Sequence, residues 1–135
     1  ADYDAYYQPP EGAGLLQLMA KRNHYHRQFN LFFEDYPLVL TPFLLTPFFA
    51  PGRDTEGAEG VREVLGQAHW SYLMNFLGLP AGNMPTHLAQ LPQGPQPIGV
   101  QLVGRRWRED LVTDALIAIE RAVGPMCHPL WARMA

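Results

Sequence analysis

Residues 97–104 read Pro-Ile-Gly-Val-Gln-Leu-Val-Gly, and this stretch does most to set the fold. The run 98–103 is short, largely apolar and bounded by Pro and Gly, which predicts a strand. Gly104 then turns the chain, and Glu109 and Asp110 lie where carboxylates stabilise the start of a helix. Apolar residues follow at helical spacing, at Leu111, Val112, Ala115, Leu116, Ile119 and Val123, before Gly124-Pro125 ends the helix. The sequence therefore predicts a strand followed by an amphipathic helix.

The segment upstream of this strand contains a helix and a proline-rich connection. Residues 79–85 read Leu-Pro-Ala-Gly-Asn-Met-Pro, and their flanking prolines indicate a short extended segment at the edge of a site or sheet. Pro and Gly in residues 86–97 indicate a loop. Before them, one continuous helix ending at Gly78 is predicted by helical spacing of Val61, Val64, Leu65, Ala68, Tyr72 and Phe76.

The first third of the chain predicts a helix, a strand and a long loop. Apolar residues of the helix recur at Leu15, Leu18, Met19, Tyr25, Phe29, Phe32 and Phe33, with polar residues largely on the other side. Pro37 must end this helix, because its ring disfavours helical geometry at the preceding residue. Residues 38–41 suit a short strand buried on both faces. Residues 42–57 form an irregular loop of a length that is often functional.

The predicted order of elements favours an α/β fold with a small mixed sheet flanked by amphipathic helices. We expect residues 1–135 to form a single segment, because their number falls within the usual size of one domain. A sheet of about three short strands is small, since most sheets have roughly 4–6. Two strongly amphipathic helices beside it would leave an apolar face uncovered, so another structure should pack there.

Composition narrows the class of protein. Hydrophobic residues make up 47% and charged residues 17%, as in a globular chain. The net charge of −3 argues against nucleic-acid binding, despite the cluster of Arg105, Arg106 and Arg108. The single cysteine, Cys127, indicates a reducing, cytoplasmic setting. No apolar run has the length of a membrane span, and residues 1–7 resemble the interior of a longer chain more than a signal peptide.

The inventory of reactive side chains is small. The chain has one serine, Ser71, and one lysine, Lys21, and Ser71 lies within a predicted helix without the glycine-rich elbow of many nucleophiles. Cys127 and His128 are adjacent, and neighbouring residues rarely present their side chains to each other. His24 and His26 are two apart on a helix and so point in different directions. Spacing thus predicts no metal site and no cofactor, and it leaves Ser71 and Cys127 as weak alternative nucleophiles.

Three stretches in one order resemble the C-terminal segment of the amidase-signature hydrolases. Residues 32–42, Phe-Phe-Glu-Asp-Tyr-Pro-Leu-Val-Leu-Thr-Pro, are similar to a helix-to-strand segment of that family, which usually has aspartate where this chain has Pro37. Residues 75–86 look like its asparagine-x-x-glycine-leucine-proline segment. Residues 97–104, followed by Glu109-Asp110, resemble its last strand and helix. The resemblance covers nearly all of residues 14–123.

This resemblance implies a mixed sheet between helices and hydrolysis of a carboxylic amide through a serine acyl-enzyme. The family's two catalytic serines and its lysine lie in an upstream region rich in glycine and serine, and no such region is present here. One serine and one lysine cannot supply a Ser-Ser-Lys triad. We therefore expect the isolated chain to be inactive, and we expect a missing N-terminal catalytic part to complete the enzyme.

The resemblance also implies which residues approach the substrate. In the family the C-terminal part helps to shape the acyl-side pocket, which the loop after Thr41 and residues 67–75 would approach. His69, Trp70 and Asn75 are the predicted substrate contacts. An exposed histidine, a core tryptophan and a polar residue at a helix end are the competing interpretations of the same three residues.

Three hypotheses about function follow. The first is the C-terminal portion of an amidase, whose uncovered apolar face would make the isolated chain a homo-oligomer. The second is a non-catalytic binding or assembly module, or one subunit of a split amidase. The third is an independent hydrolase that uses Ser71 or Cys127.

Overall fold

The computed structural model describes residues 11–47, 49–92 and 94–126. Helix α1 precedes strand β1, and a short 3-10 turn follows. Helices α2 and α3, strands β2 and β3, and helix α4 complete the order. The bounds are α1 Ala13–Asp35, β1 Leu38–Thr41, the turn Arg53–Thr55, α2 Gly57–Gln67, α3 His69–Leu77, β2 Ala81–Leu91, β3 Gly94–Gly104 and α4 Glu109–Val123. The α/β class and the small sheet flanked by helices are confirmed.

Proline and glycine end the helices where the sequence predicts. Helix α1 stops at Asp35, and Tyr36 before Pro37 is extended, with φ −124° and ψ 93°. Helix α3 ends at Gly78, whose φ of 65° is the left-handed conformation that glycine adopts without strain. The Nε atom of Arg22 on α1 donates a hydrogen bond to the carbonyl of Phe76 at 2.5 Å. This bond satisfies one of the carbonyls left free at the end of α3 and ties the two helices together.

The predicted single helix over residues 61–76 is instead two helices, α2 and α3, separated at Ala68. Ala68 has φ −99° and ψ 21°, outside helical geometry. The carbonyl of Gln67 accepts a hydrogen bond from the backbone N–H of Leu45 at 2.9 Å, and the hydroxyl of Tyr72 donates to the carbonyl of Leu65. Carbonyls at the end of α2 are therefore used by partners outside that helix, and α3 starts afresh one residue later.

The sheet has the order β1–β3–β2, and both pairings are antiparallel. The described sheet differs in this respect from the mixed sheet that the sequence predicts. Strands β2 and β3 form a long hairpin in which Leu91 pairs with Gly94, so only two positions separate the strands. A parallel pairing would need a crossover of a dozen or more residues. Residues 86–97, predicted as a loop, belong largely to this hairpin.

Strand β1 lies at one edge of the described sheet, which corrects the prediction of burial on both faces. It pairs only with residues 101–104 of β3. Thr41 is buried, but the side chain of Leu40 is 61% exposed. The first half of β3 therefore has a single neighbour, and Pro97 is tolerated there because its missing N–H can fall on the unpaired side.

Helices cover both faces of the sheet. On one face Val103 packs with Phe33 of α1, Met74 and Leu77 of α3, and Leu79 in a buried cluster. On the other face lies α4, which approaches closely because two strand positions lack side chains. A Cβ atom on Gly82 would lie 2.5 Å from Leu116 Cδ1, and one on Gly104 would lie 2.7 Å from Val112 Cγ2. The sandwich of a sheet between helices is thus confirmed.

Much of the apolar surface of α1 is not covered. Phe33 is its one residue buried in the described structure, whereas Leu15, Leu16, Met19, Tyr25 and Leu31 are each about half exposed or more, with Leu16 at 73%. One helix thus has more exposed apolar residues than the scattered ones on an ordinary monomer surface. Among the described helices none combines the length and apolar character that a membrane crossing requires.

Candidate substrate pocket

An apolar pocket lies between the segment that follows β1 and the middle of the β2–β3 hairpin. It has a volume of about 520 Å³. Segment 42–47 forms one wall, and residues 83–85 and 97–100 form the other. The lining is largely Pro, Phe, Leu, Met, Ile and Val, with Thr46 and Asn83 as its polar side chains. Such a pocket suits an apolar group of a small molecule that is oriented by few polar contacts.

The hairpin bends at this pocket. Its register shifts between Pro85 and His87, which leaves Thr86 as the extra residue of a bulge. The hydroxyl of Thr86 donates to the carbonyl of Ile98 at 3.3 Å and holds the bulge against β3. Bulges re-aim neighbouring side chains and are frequent beside active sites. Met84 and Pro85 on one strand, and Ile98 on the other, lie next to this bulge and line the pocket.

A buried polar contact anchors the loop wall. Gln101 is only 1% exposed and pairs across the sheet with Thr41, the residue before the loop. Its Nε2 atom donates to Thr41 Oγ1 at 3.0 Å and to the carbonyl of Trp70 at 3.5 Å. A buried amide is stable only with such partners. This contact therefore joins β1, β3 and α3 next to Pro42 and Val100, which line the pocket.

The three predicted substrate contacts lie on α3, and none of them lines the described pocket. His69 is exposed, with its ring 5.7 Å from that of Tyr72. Trp70 is half-buried against the core cluster. Asn75 is exposed, and its Nδ2 atom donates to the carbonyl of Ser71 at 3.0 Å, within its own helix. The bond between Leu45 and Gln67 places the start of the 67–75 stretch beside the loop. The role of these residues stays a prediction.

The reactive side chains show no assembled nucleophile. Ser71 is half-buried on α3, and within the described part of the chain no residue forms a hydrogen bond with its hydroxyl. A serine nucleophile needs a base within hydrogen-bonding distance of its hydroxyl. Cys127 and His128 lie outside the described residues. Over residues 11–47, 49–92 and 94–126, no group of three or more His, Cys, Asp or Glu side chains is placed to hold a metal ion.

Charged groups form exposed pairs away from the pocket. Arg53 bonds to Glu56 at 2.6 Å and to Glu63 at 2.7 Å, and both carboxylates raise the pKa of the guanidinium. Arg108 bonds to Asp110 at 2.9 Å and holds the pKa of that carboxyl below its ordinary value. Because these groups are largely exposed to solvent, their ion pairs contribute little to stability.

Sequence reasoning missed the pairing that makes the hairpin wall of the pocket. It predicted residues 79–85 as an extended segment at the edge of a site or sheet and residues 98–103 as a strand, but it predicted a loop over residues 86–97, where the structure has most of the hairpin. One signal was available in the sequence, where larger apolar residues at Met84 and Leu88 alternate with outward-facing positions. The structure has the same alternation, since β2 alternates exposed and half-buried residues along most of its length. Pro85, Pro92, Pro95 and Pro97 obscured that alternation.

Comparison with known proteins identifies the class of this fold and pocket. A family model described as Amidase matches residues 5–113, which is most of the chain. The chain belongs to the amidase family.

Two relatives show how this chain compares with whole proteins. It is 44% identical over 120 residues to an indoleacetamide hydrolase of Bradyrhizobium diazoefficiens, covering 88% of this chain and 22% of the relative. It is 31% identical over 122 residues to one component of the glutamyl-tRNA(Gln) amidotransferase of Wolinella succinogenes, covering 90% of this chain and 24% of that component. The chain thus spans about a quarter of the length of these curated relatives.

A solved structure gives the same result for the fold. The structure of 6-aminohexanoate cyclic dimer hydrolase complexed with substrate superposes with a TM-score of 0.65 at 23% sequence identity. The match covers 85% of this chain and 25% of that one. The described helices and sheet therefore correspond to one part of an amidase fold.

Proposed function

We propose that this chain is the C-terminal portion of an amidase that hydrolyses a carboxylic amide through a serine acyl-enzyme, and that alone it is inactive. Its membership of the amidase family supports the reaction. One serine and one lysine in the sequence support the absence of a Ser-Ser-Lys triad. The catalytic serines are expected in an upstream part, which this chain would complete.

The apolar pocket is the observation that supports our proposal for how this portion contributes to substrate binding. Its volume of about 520 Å³ and its apolar lining suit an aromatic acyl group. The relative that is 44% identical over 120 residues carries the name indoleacetamide hydrolase. We therefore propose an arylacetamide as substrate class, with the amide presented to the upstream catalytic residues and the ring held by this pocket. His69, Trp70 and Asn75 remain proposed contacts at the neighbouring end of α3.

The pocket can be tested in a fused enzyme, in which this chain replaces the matching C-terminal portion of the Bradyrhizobium relative. Ile98→Ala should raise KM for indole-3-acetamide about tenfold, because the pocket loses apolar contact with the ring. The matched control is Ile119→Ala on α4, half-buried but outside the pocket. Equal KM values for the two variants would count against this pocket as the ring site.

The exposed surface of α1 supports the proposed partner. We propose that the missing catalytic part covers this surface in the complete enzyme, and that copies of the isolated chain cover it for each other as a homo-oligomer. The relatives that this chain matches are roughly four times as long, so they contain enough additional chain to do so. The split-subunit alternative rests on the same surface and differs only in whether the catalytic part is a separate polypeptide.

Sedimentation of the isolated chain tests this coverage. We expect oligomers at micromolar concentration, because burying several half-exposed Leu and Met side chains favours association. Leu16→Glu should weaken the association, since Leu16 is 73% exposed. The control is Leu40→Glu, a leucine 61% exposed on β1 and away from α1. A monodisperse monomer, or an equal response to both substitutions, would contradict the proposal.

A further inference from the structure

A second, polar pocket lies at the opposite end of β3 from the apolar one. It has a volume of about 450 Å³ and is lined by His26 and Asn30 of α1 and by residues 105–108 of the β3–α4 loop. Three of its six lining residues are arginines, and none is a carboxylate. An assembly of donors around one cavity, without an acidic side chain in the lining, favours a negatively charged ligand.

Within the described residues, two of the three guanidinium groups have no acidic partner. Arg108 is bound to Asp110, through Nε at 2.9 Å and Nη2 at 2.9 Å. Glu109 and Asp110 are the nearest carboxylates in sequence, on the first turn of α4, and neither lines the pocket. In the described part of the chain, Arg105 and Arg106 form no ion pair with a carboxylate. Their charges are therefore available to a ligand.

His26 adds a buried ring nitrogen that has no partner among the described residues. Its Nδ1 atom lies 3.4 Å from the side-chain nitrogen of Asn30. Nε2 is buried and has no hydrogen-bond partner among the described residues. A buried polar atom without a partner is costly, and a bound ligand is one way to satisfy it.

The loop itself is held in an uncommon conformation. Trp107 has φ 67°, the single positive value among described residues other than glycine. Its ring lies beneath the guanidinium of Arg106, with 5.1 Å between Cζ and the ring centroid. Left-handed backbone at a bulky residue costs free energy, and such strain is concentrated at binding and catalytic sites. Here the strain accompanies a stacked arginine at the mouth of the polar pocket.

We propose that this polar pocket is an oxyanion-binding site that takes the phosphate or carboxylate group of a small molecule. Arg105 and Arg106 supply charge-assisted hydrogen bonds, and His26 supplies its buried ring nitrogen Nε2. The site is separate from the apolar pocket and does not depend on the proposed amide hydrolysis.

Calorimetric titration of the 135-residue chain tests the site, with inorganic phosphate in one arm and acetate in the other, at constant ionic strength. We expect saturable 1:1 binding in at least one arm, and the arm that saturates identifies the oxyanion. Arg105→Gln and Arg106→Gln should each raise Kd about tenfold or more. Arg62→Gln on α2 removes the same charge outside the pocket and should leave Kd within about twofold.

A second readout is independent of the variants. The ring resonances of His26 in the unmodified chain should shift on saturation, and those of His69 on α3 should not. Lack of saturable binding in both arms would overturn the proposal. So would an equal loss of binding with Arg62→Gln, or binding that leaves the His26 resonances unmoved.

Discussion

Gln101 determines how the pocket is anchored. It is a polar side chain in the central strand of the described sheet and is almost fully buried. Its partners are Thr41 Oγ1 and the carbonyl of Trp70, which belong to β1 and α3. A buried amide with both contacts specifies one arrangement of these elements, because other arrangements would leave polar atoms unpaired. The position of the loop that follows Thr41 depends on this contact.

Replacing Gln101 tests that role. Gln101→Ala should lower the free energy of unfolding by about 2–4 kcal/mol, since it opens a cavity and leaves Thr41 Oγ1 without its donor. Gln90→Ala, an exposed glutamine on β2, should change it by less than about 0.5 kcal/mol. Urea unfolding followed by tryptophan fluorescence measures both. Similar midpoints for the two variants would show that the buried amide does not hold β1 and α3 together.

At the scale of elements, α2 and the 3-10 turn before it depend on a close approach of their backbones. A Cβ atom on Gly60 would overlap the carbonyl oxygen of Arg53, a backbone atom that cannot move without displacing the turn. Gly66 lies in the same helix, and a Cβ there would meet nothing within 4 Å. The two glycines thus differ in packing, although both are helical.

Alanine at these two positions should have opposite effects. Gly66→Ala should stabilise the protein by about 0.5–1 kcal/mol, because alanine has the higher helix propensity. Gly60→Ala gains the same propensity, but it should destabilise by more than about 1 kcal/mol because the turn must shift. Thermal unfolding of both variants is the measurement. A stabilising Gly60→Ala would contradict the packing of the turn against α2.

Local signals in the sequence were sufficient for the ends of elements. Pro37 and Gly78 act on their immediate neighbours, and both ended helices where predicted. The break at Ala68 was missed because its cause is a distant partner, the N–H of Leu45. The hairpin was missed for a different reason. Its strands contain prolines, and Pro97 is tolerated because one side of β3 is unpaired there.

The candidate site was also predictable from the sequence only in part. The predicted loop over residues 42–57 was singled out by its length and composition, and its first part, residues 42–47, does form one wall of the apolar pocket. The other wall required the register that brings residues 83–85 opposite 97–100. The residues named from resemblance, His69, Trp70 and Asn75, lie on α3 outside the pocket lining, and their role stays a prediction. The polar pocket likewise depends on a contact between α1 and the β3–α4 loop, which no local pattern specifies.

At the scale of the whole molecule, the described chain has a covered sheet and an uncovered helix. Val103 and Gly82 lie against helices on opposite faces of the sheet. The apolar residues of α1 are not covered. The chain spans about a quarter of the length of its relatives, which supports the proposal that further chain covers these residues in a complete enzyme.

The rate of indole-3-acetamide hydrolysis by three samples at equal concentration tests the proposed function most directly. These are this chain alone, the upstream portion of the Bradyrhizobium relative alone, and the fused enzyme that joins them. We expect hydrolysis by the fused enzyme only, unchanged by Ser71→Ala, because the nucleophile lies upstream and this chain supplies the pocket. Hydrolysis by this chain alone that Ser71→Ala abolishes would contradict the proposal and identify an independent enzyme.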